Sequence, residues 1–419
     1  MNKISRYNNI KSILPCLVEW INVLSTLYLI ATLITSFNYQ RLAIYIYFIS
    51  TFTDIIINKR YLNIKWEKSK STFVMMIIFY ICMWIWHIFK PCEYNELFHS
   101  TDTRLPFIAF GILGLCSTIN PKIKINYVAY TMLITSVAAI IYVIFKQHNI
   151  LFAPDITIHS LRNILPQIRQ EVLHVTHIEF NLYLNCTMIM CFICFLNSNN
   201  KLNKTILSIA ILFIYIILLT SEGRIGFITA NILFLLFVAS TIYHYNPKLL
   251  IPSIIIFTLI VTPIISKHDR LNIRYITEDP RVAIWELSYE IIKEKPILGH
   301  GVCHGRQLFI EQSTNNPNLN HFWNIWHSQY PNYNKNRFHC HNAFLESAIE
   351  FGLIGLIISL SIFVLPILLT SNKKQLYLSF FILTFAIQAM LEAFTFHLQI
   401  LLFCWILYFF INTNFAKDN

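Results

Sequence analysis

The chain has 419 residues, of which 56% are hydrophobic and only 13% charged, and its mean hydropathy is +0.54. An ordinary soluble domain carries about 25% charged residues, so this composition excludes a soluble fold and predicts an all-α polytopic integral membrane protein. The formal net charge of +11 does not indicate nucleic-acid binding, because the basic residues lie in short loops between apolar runs, where membrane orientation accounts for them.

Apolar runs along the chain define the predicted transmembrane helices, since a helix needs about 17 to 25 residues to cross the bilayer. The runs lie at 13–37, 42–58, 72–89, 126–145, 178–196, 205–221, 225–243, 249–266, 343–370, 375–394 and 397–411. Together with a shorter run at 105–119 they predict about twelve spans. The first run is too long for the core of a cleavable signal peptide, so we expect it to remain as the first span.

The distribution of lysine and arginine predicts that both termini are cytoplasmic. With the N-terminus inside, the inner loops carry most of the basic residues that lie outside the two long outer segments, as the positive-inside rule requires. The chain then divides into transmembrane helices one to nine in 1–266, a large outer loop in 267–342 and transmembrane helices ten to twelve in 343–419.

Three chemically distinctive residues, Arg224, Arg281 and His341, fall on the same outer face in this topology. Arg224 lies in a tight turn, 221–226, between two predicted spans. It could bind an anion there. It could also anchor the turn at the membrane interface or pair with Glu222.

Within the large loop, Asp279-Pro280-Arg281 predicts a helix start, with aspartate as N-cap and proline at the first helical position. A stripe at helical spacing follows and predicts an amphipathic helix on or against the membrane domain. The stripe comprises Ile284, Trp285, Ser288, Ile291 and Ile292. Arg281 lies in the first turn, where the helix dipole and free backbone N–H groups favour an anion. A solvated charge at a helix start is the plainer alternative.

The loop ends at His341, which we expect to lie where water meets lipid. Asn342 is a good N-cap for the following helix, so His341 should stand just outside its first turn. Glu350 lies further along that helix, and Gly352 and Gly355 fall on nearly one face, where another backbone could approach closely.

Two arginines and a histidine at one membrane face indicate chemistry on an anionic, lipid-linked substrate. Arginine presents a planar fork that holds phosphate and cannot lose its charge. Histidine suits removal of a proton from an attacking hydroxyl near neutral pH. For His341 alone, a hydrogen-bonded interfacial histidine is an equally good interpretation.

We predict no metal site. The segment 300–304 with His339 and His341 supplies enough possible ligands for zinc, but the spacings match no common closed site. No Asp-x-Asp pair occurs that could hold a divalent ion on a diphosphate. Cys303 and Cys340 lie in the loop and could form a disulfide if the loop faces an oxidising compartment.

The motif His341-Asn342, with Leu345, Glu350, Gly352 and Gly355 at their spacings, resembles the signature of bacterial O-antigen ligases and the related O-antigen polymerases. The family's other two landmarks resemble Arg224 in its Ser-x-x-Arg turn and Arg281 in Arg-x-x-x-Trp, followed by Pro296 and Gly299-x-Gly301. The turn departs from the family in having Ser221-Glu222-Gly223, where a Thr or Ser more often directly precedes the arginine.

The resemblance implies a glycosyltransferase of the bacterial inner membrane that needs neither metal nor cofactor. Such an enzyme takes a glycan from undecaprenyl diphosphate and transfers it to a sugar hydroxyl of lipid A-core at the periplasmic face. His341 would be the base or would orient the acceptor, and Arg224 and Arg281 would bind the diphosphate. Supporting roles would fall to Asn342, His339, Glu350, Gly352 and Gly355.

Two alternatives stay open at this point. A polymerase that joins repeat units on the same lipid carrier would use the same donor and much the same residues; the number of spans and the large loop before span ten resemble a ligase more. A transporter or lipid flippase would need ionisable residues deep in its spans. Only Glu19, Asp54 and His87 meet that condition loosely, and Glu392 lies near an outer end.

Overall fold

The structure is a computed structural model that describes residues 2–35, 37–91, 94–147, 171–220, 223–266, 279–319, 323–324, 338–370, 372–392 and 397–413. Within these ranges the chain is predominantly helical and contains no β-strand, which confirms the predicted all-α class. Much of the predicted outer loop, at 267–278 and 325–337, lies outside the described residues.

Fourteen α-helices follow one another along the described part of the chain. They are α1 (Asn2–Thr32), α2 (Phe37–Ile57), α3 (Ser71–Phe89), α4 (Tyr94–Cys116), α5 (Ile125–Lys146), α6 (His177–Asn197), α7 (Lys201–Leu219), α8 (Arg224–Tyr245), α9 (Leu250–Ser266), α10 (Pro280–Glu294), α11 (Val302–Asn315), α12 (Ala343–Leu369), α13 (Asn372–Leu391) and α14 (His397–Asn412).

The lengths and hydropathies of these helices are those of a multi-pass membrane protein. In the described part of the chain, nine helices are long and apolar enough to cross a membrane. Two further apolar helices, Pro247–Leu259 and Gln399–Asn412, are shorter. The weak run predicted at 105–119 falls largely within α4. The count of twelve spans and the cytoplasmic position of the termini stay predictions.

The chain forms two compact units. The first comprises Met1–Lys65, Cys116–Pro263 and Asn412–Asn419, and the second comprises Trp66–Leu115 and Ile264–Ile411. His341, Arg281 and all five residues expected to have supporting roles belong to the second unit, whereas Arg224 belongs to the first.

The first unit contains an ion-pair cluster, here called the Arg60 cluster, in which Arg60 and Asp54 are buried and Glu19 and Lys122 are partly exposed. The guanidinium of Arg60 contacts both oxygens of Asp54, and its Nη2 lies 3.0 Å from Oε1 of Glu19. Lys122 Nζ lies 2.7 Å from the other oxygen of Glu19. Each carboxylate oxygen in the cluster therefore has a cationic partner, so these intramembrane acids are explained as paired structural residues.

In the second unit, α12 is not the single straight helix that the apolar run 343–370 predicts. Gly352 interrupts it with φ 65° and ψ −153°, a backbone conformation that is essentially restricted to glycine. The rings of Phe344 and Phe363 lie 5.3 Å apart, whereas a straight helix would separate residues at that spacing by about 28 Å. The two halves of α12 therefore fold back against each other at Gly352.

The segment that follows α10 caps the break in α12. The N–H groups of His300 and Gly301 donate to the carbonyls of Ile349 and Glu350, each at 2.8 Å. In the opposite direction, Leu353 N–H donates to the Pro296 carbonyl at 2.8 Å. The backbone groups that the break frees are thus paired with protein, as the membrane environment requires.

Two glycines permit this close backbone contact. A Cβ added at Gly299 would lie 2.5 Å from the backbone nitrogen of Gly352, and one added at Gly352 would collide with the carbonyl of Ile297. Both residues also have positive φ values. The approach of another backbone therefore occurs at Gly352, whereas Gly355 lies tight against Ser347 and Phe351 in the first half of its own helix.

The structure contradicts a bond between Cys303 and Cys340. Cys340 is a free, buried thiol whose Sγ donates to the carbonyl of Asn342 at 3.1 Å. Cys303 is disulfide-bonded to a different residue. Sequence spacing in the loop did not reveal this, because disulfide connectivity depends on which segments the fold brings within reach.

Candidate active site

The N-terminus of α12 is held in place by Asn342. Its side-chain oxygen accepts from the N–H groups of Phe344 and Leu345, both at 3.0 Å, as expected of an N-cap. Its Nδ2 donates to the carbonyl of Met390 at the end of α13, also at 3.0 Å. Because one side chain fixes both helix ends, His341 is brought next to Glu392.

His341 makes a hydrogen bond from its ring Nδ1 to Oε2 of Glu392, at 2.9 Å. The backbone of His341 adopts φ 51°, a left-handed conformation that costs free energy for a residue other than glycine and is characteristic of functional sites. Glu392 is only 3% exposed, and its own N–H donates to the carbonyl of Gln388. The carboxylate is therefore a fixed partner for the ring.

Arg281 contacts the other oxygen of the same carboxylate. Its Nη2 lies 2.7 Å from Oε1 of Glu392, and its Nη1 lies 3.7 Å from Asp279, the N-cap residue of α10. Its Nε has no hydrogen-bond partner among the described residues. Arg281 and His341 thus share one buried carboxylate, and we call these three residues the Glu392 cluster.

Glu392 remains ionised in this environment. Burial by itself would raise the pKa of its carboxyl group, but the hydrogen bond and charge of His341 together with Arg281 outweigh burial and lower that pKa. An ionised Glu392 favours a proton on Nδ1 of His341 and fixes the ring orientation. The opposite ring nitrogen, Nε2, is then left to accept a proton.

His339 lies against His341, with 4.2 Å between the ring centroids. Its Nδ1 accepts the backbone N–H of His341 at 3.2 Å, which helps to hold the strained backbone there. Burial, followed by electrostatic interactions with His341, Arg306 and Arg281, lowers the pKa of His339 well below its usual value. His339 is therefore a neutral ring with its proton on Nε2.

The side chains of His339, His341 and Glu392 have potential metal-ligand atoms within 4.8 Å of one another. However, Nδ1 of each histidine already has a hydrogen bond, and both carboxylate oxygens are engaged. Arg281 also places a positive charge 2.7 Å from the carboxylate, which opposes a cation there. A hydrogen-bonded ion-pair cluster accounts for this geometry better than a metal site does.

Glu350 supports the site indirectly, through an ion pair that holds α12. Its carboxylate forms an ion pair with Nη2 of Arg104 on α4 at 2.8 Å, and both side chains are less than 10% exposed. Nη1 of Arg104 also donates to the hydroxyl of Ser100 at 3.2 Å. The pair therefore anchors the first half of α12, which carries His341 at its start, while the Glu350 carbonyl helps to close the helix break.

Arg224 is the first residue of α8, and its side chain lies outside the described residues, as do residues 221 and 222 of its turn. The start of α8 packs closely on α6, because Asn185 Nδ2 donates to the carbonyl of Gly226 at 3.3 Å. A Cβ at Gly226 would lie 2.6 Å from Asn181. The substrate-binding role of Arg224 stays a prediction.

Comparison with known proteins supports the same region of the chain. Residues 207–360 match a family model described as O-Antigen ligase. A protein of Rickettsia felis named "Putative polysaccharide ligase" is 28% identical over 184 residues. That alignment covers 42% of each chain, so the match spans less than half the length of this relative. These findings confirm the resemblance to the O-antigen ligase superfamily.

The matched segment contains Arg224, Arg281 and His341 but ends before Glu392. Glu392 is therefore the residue of the site that motif reasoning missed. The available sequence signal was weak: an acidic residue at the outer end of an apolar run, where burial of an unpaired carboxylate would be costly. That signal predicts a cationic partner for Glu392 but does not identify Arg281 or His341.

Proposed function

We propose that the chain is an O-antigen ligase that transfers a glycan from undecaprenyl diphosphate to a sugar hydroxyl of lipid A-core at the periplasmic face of the inner membrane. The observation that carries this proposal is the Glu392 cluster, in which one buried carboxylate holds both a histidine and an arginine. A proton acceptor and an anion-binding group are thereby fixed side by side in a membrane protein.

His341 acts as the general base. Since Glu392 accepts the proton of Nδ1, the free Nε2 can take the proton of the acceptor hydroxyl as that oxygen attacks the anomeric carbon. The ionised Glu392 then stabilises the imidazolium that forms, as the aspartate does in a serine protease triad. The strained backbone of His341 is held by His339 and by Asn342 at the helix start.

The leaving group is a diphosphate, and Arg281 suits it. As the new carbon–oxygen bond forms, the bond between the anomeric carbon and the phosphate oxygen breaks, and its electron pair leaves with undecaprenyl diphosphate. A guanidinium stays charged at physiological pH, and Nε of Arg281 has no hydrogen-bond partner among the described residues. The N-terminal turn of α10, where Arg281 lies, adds a favourable dipole. Arg224 would bind the diphosphate together with it.

The disulfide at Cys303 supports the periplasmic assignment. Disulfides persist in oxidising compartments such as the bacterial periplasm and are rare in the cytosol. Cys303 lies in the same loop region as Arg281 and His341, which supports the proposal that the cluster faces the oxidising compartment. The membrane lipids and the lipid-linked donor would then reach the cluster from the outer leaflet.

Ligase is preferred to polymerase because the matching family model and the relative both carry ligase in their descriptions. The two activities share a donor and differ in the acceptor. The test is a lipopolysaccharide gel of a host that lacks the protein, complemented with wild type, His341→Ala or Lys293→Gln. Lys293 is an exposed residue of α10 that pairs with Glu290, so its variant is the matched control.

For a ligase, the null strain and His341→Ala should show bare core while polymer accumulates on the lipid carrier, and Lys293→Gln should restore the full ladder. Core that carries a single repeat unit in the null and in His341→Ala would instead identify a polymerase. An unchanged ladder in the null strain would contradict both activities and would favour the transporter interpretation. Membrane abundance of each variant, measured by immunoblot, separates loss of activity from loss of protein.

A further inference from the structure

A small cleft opens beside His339, on the α11 side of the Glu392 cluster. Its polar lining residues are Arg306, His339, Glu346 and Glu350. Gly305 sets the position of α11 there, since a Cβ at that residue would lie 2.9 Å from the side chain of Ile349 on α12. Arg306, the next residue, is thereby fixed beside the histidine pair.

Arg306 differs from the other arginines near the site in making no ion pair among the described residues, although Glu346 and Glu350 line the same cleft. Arg104 is paired with Glu350, and Arg281 is paired with Glu392, each at less than 3 Å. Among the described residues the side chain of Arg306 makes no ion pair or hydrogen bond, and its Nε is shielded from water without a partner. Shielding a charged donor without a partner costs free energy, which an incoming anion would offset.

His339 supplies a second donor in the same cleft. Its Nδ1 is occupied by the backbone N–H of His341, so the neutral ring carries its proton on Nε2. A guanidinium and an imidazole N–H that line one cleft are the donor types that bind phosphate oxygens. Neither group takes up the proton that His341 removes, and the bond by which His339 holds His341 uses its other ring nitrogen, Nδ1.

We propose that Arg306 and His339 form a second phosphate subsite next to the catalytic histidine. This inference rests on the proposed function and deepens it, because the bound group would be either the second phosphate of the lipid diphosphate or a phosphate carried by the acceptor. Arg281 and Arg306 would then hold anionic groups on the two sides of the histidine pair.

The test uses the purified full chain in nanodiscs, with undecaprenyl diphosphate and inorganic pyrophosphate as probes. Arg306→Gln should weaken binding of a phosphate-bearing probe by about tenfold to a hundredfold, the loss expected for one charge-assisted contact. Arg306→Lys should recover part of this affinity, and Lys293→Gln should leave it unchanged. Thermal unfolding of each variant confirms that the fold is retained.

Transfer assays distinguish the two sources of phosphate. Weaker undecaprenyl diphosphate binding in Arg306→Gln assigns the subsite to the donor. An unchanged donor affinity with a raised KM for phosphorylated acceptor, but not for dephosphorylated acceptor, assigns it to the acceptor. If Arg306→Gln changes none of these quantities while Arg281→Gln abolishes transfer, the subsite is disproved and the proposed function stands.

The pyrophosphate probe tests the phosphate subsite even if the proposed function is wrong. If wild type neither binds undecaprenyl diphosphate nor transfers glycan, the ligase proposal fails. Pyrophosphate binding that still depends on Arg306 would then preserve the phosphate subsite, and binding that does not depend on Arg306 would overturn it.

Discussion

The Arg60 cluster and the Glu392 cluster are built from the same chemical groups but differ in how completely those groups are paired. In the Arg60 cluster one arginine, 9% exposed, contacts two carboxylates, and Lys122, 30% exposed, holds the second oxygen of Glu19. In the Glu392 cluster one carboxylate serves an arginine and a histidine whose side chains are 26% and 24% exposed. The second cluster therefore keeps an unpaired donor, Nε of Arg281, which is itself buried, beside two partly exposed side chains.

This difference gives a physical criterion for separating structural charge from functional charge in a membrane protein. A buried ion pair whose groups are fully engaged can only hold helices together. A buried carboxylate that orients two partially exposed groups leaves them available to a substrate. The predictions below test whether the two clusters divide stability and activity in this way.

The largest effect should come from His341→Ala. Removing a general base lowers the rate of the chemical step by about a hundredfold to ten-thousandfold, while the N-cap Asn342 and the fold are retained. The measurement is the initial rate of glycan transfer by purified protein, with the temperature of unfolding as a control. A rate within about twofold of wild type would show that the Glu392 cluster does not supply the base.

Arg60→Met should lower stability and leave activity unchanged, the opposite of the result expected for His341→Ala. The substitution leaves Asp54 buried without its cation, which typically costs about 3 to 5 kcal/mol of stability. We expect a large fall in the free energy of unfolding in detergent, but a normal transfer rate for each folded molecule. A normally stable variant with a reduced rate would mean that the Arg60 cluster has a role beyond structure.

Local sequence signals predicted some of this architecture correctly. Asp279-Pro280 marks the start of α10, and Asn342 caps α12, because capping is decided by one residue and its immediate neighbours. Composition alone was sufficient for the membrane class. The functional roles of Arg281 and His341 came from the family signature and stay predictions.

Other features depend on contacts between distant segments and could not be deduced from local pattern. Glu392 lies 51 residues from His341 and 111 residues from Arg281, so only the packing of α10, α12 and α13 brings them together. The break at Gly352 was hidden because its surroundings are uniformly apolar, with a mean hydropathy of 2.7. Positive φ at both Gly299 and Gly352 is visible only in the folded chain.

Glu392→Gln should have an intermediate effect on activity. The amide keeps the shape of the carboxylate but cannot stabilise a cationic His341 as well, so we expect transfer to slow by about tenfold to a hundredfold, as for loss of a charged hydrogen bond. The rate should be compared with that of Glu290→Gln, the same change at an exposed glutamate of α10, in which Glu392 is retained. An unchanged rate would make Glu392 a purely structural partner of Arg281.

The same substitution should change how stability depends on pH. The pKa of Glu392 is lowered in the folded protein, so its contribution is fully present above the ordinary carboxyl pKa of about 4.3. That contribution is lost as the pH falls through the lower folded value. Wild type should therefore lose stability over this acidic range, and Glu392→Gln should lose less, as measured by unfolding temperature against pH.

The smallest effect should come from Cys340→Ser, a substitution in the residue that precedes the proposed base His341. Cys340 is a free thiol that donates to the Asn342 carbonyl, and serine can make the same hydrogen bond. We expect a change in the free energy of unfolding of about 1 kcal/mol or less and an unchanged transfer rate. Cys303→Ser is the informative contrast, because it removes a disulfide and should destabilise the protein further. Suppose that Cys303→Ser and Cys340→Ser lower the free energy of unfolding equally, and that neither differs from wild type under reducing conditions. The two cysteines would then be bonded to each other, and the description of Cys340 as a free thiol would be wrong.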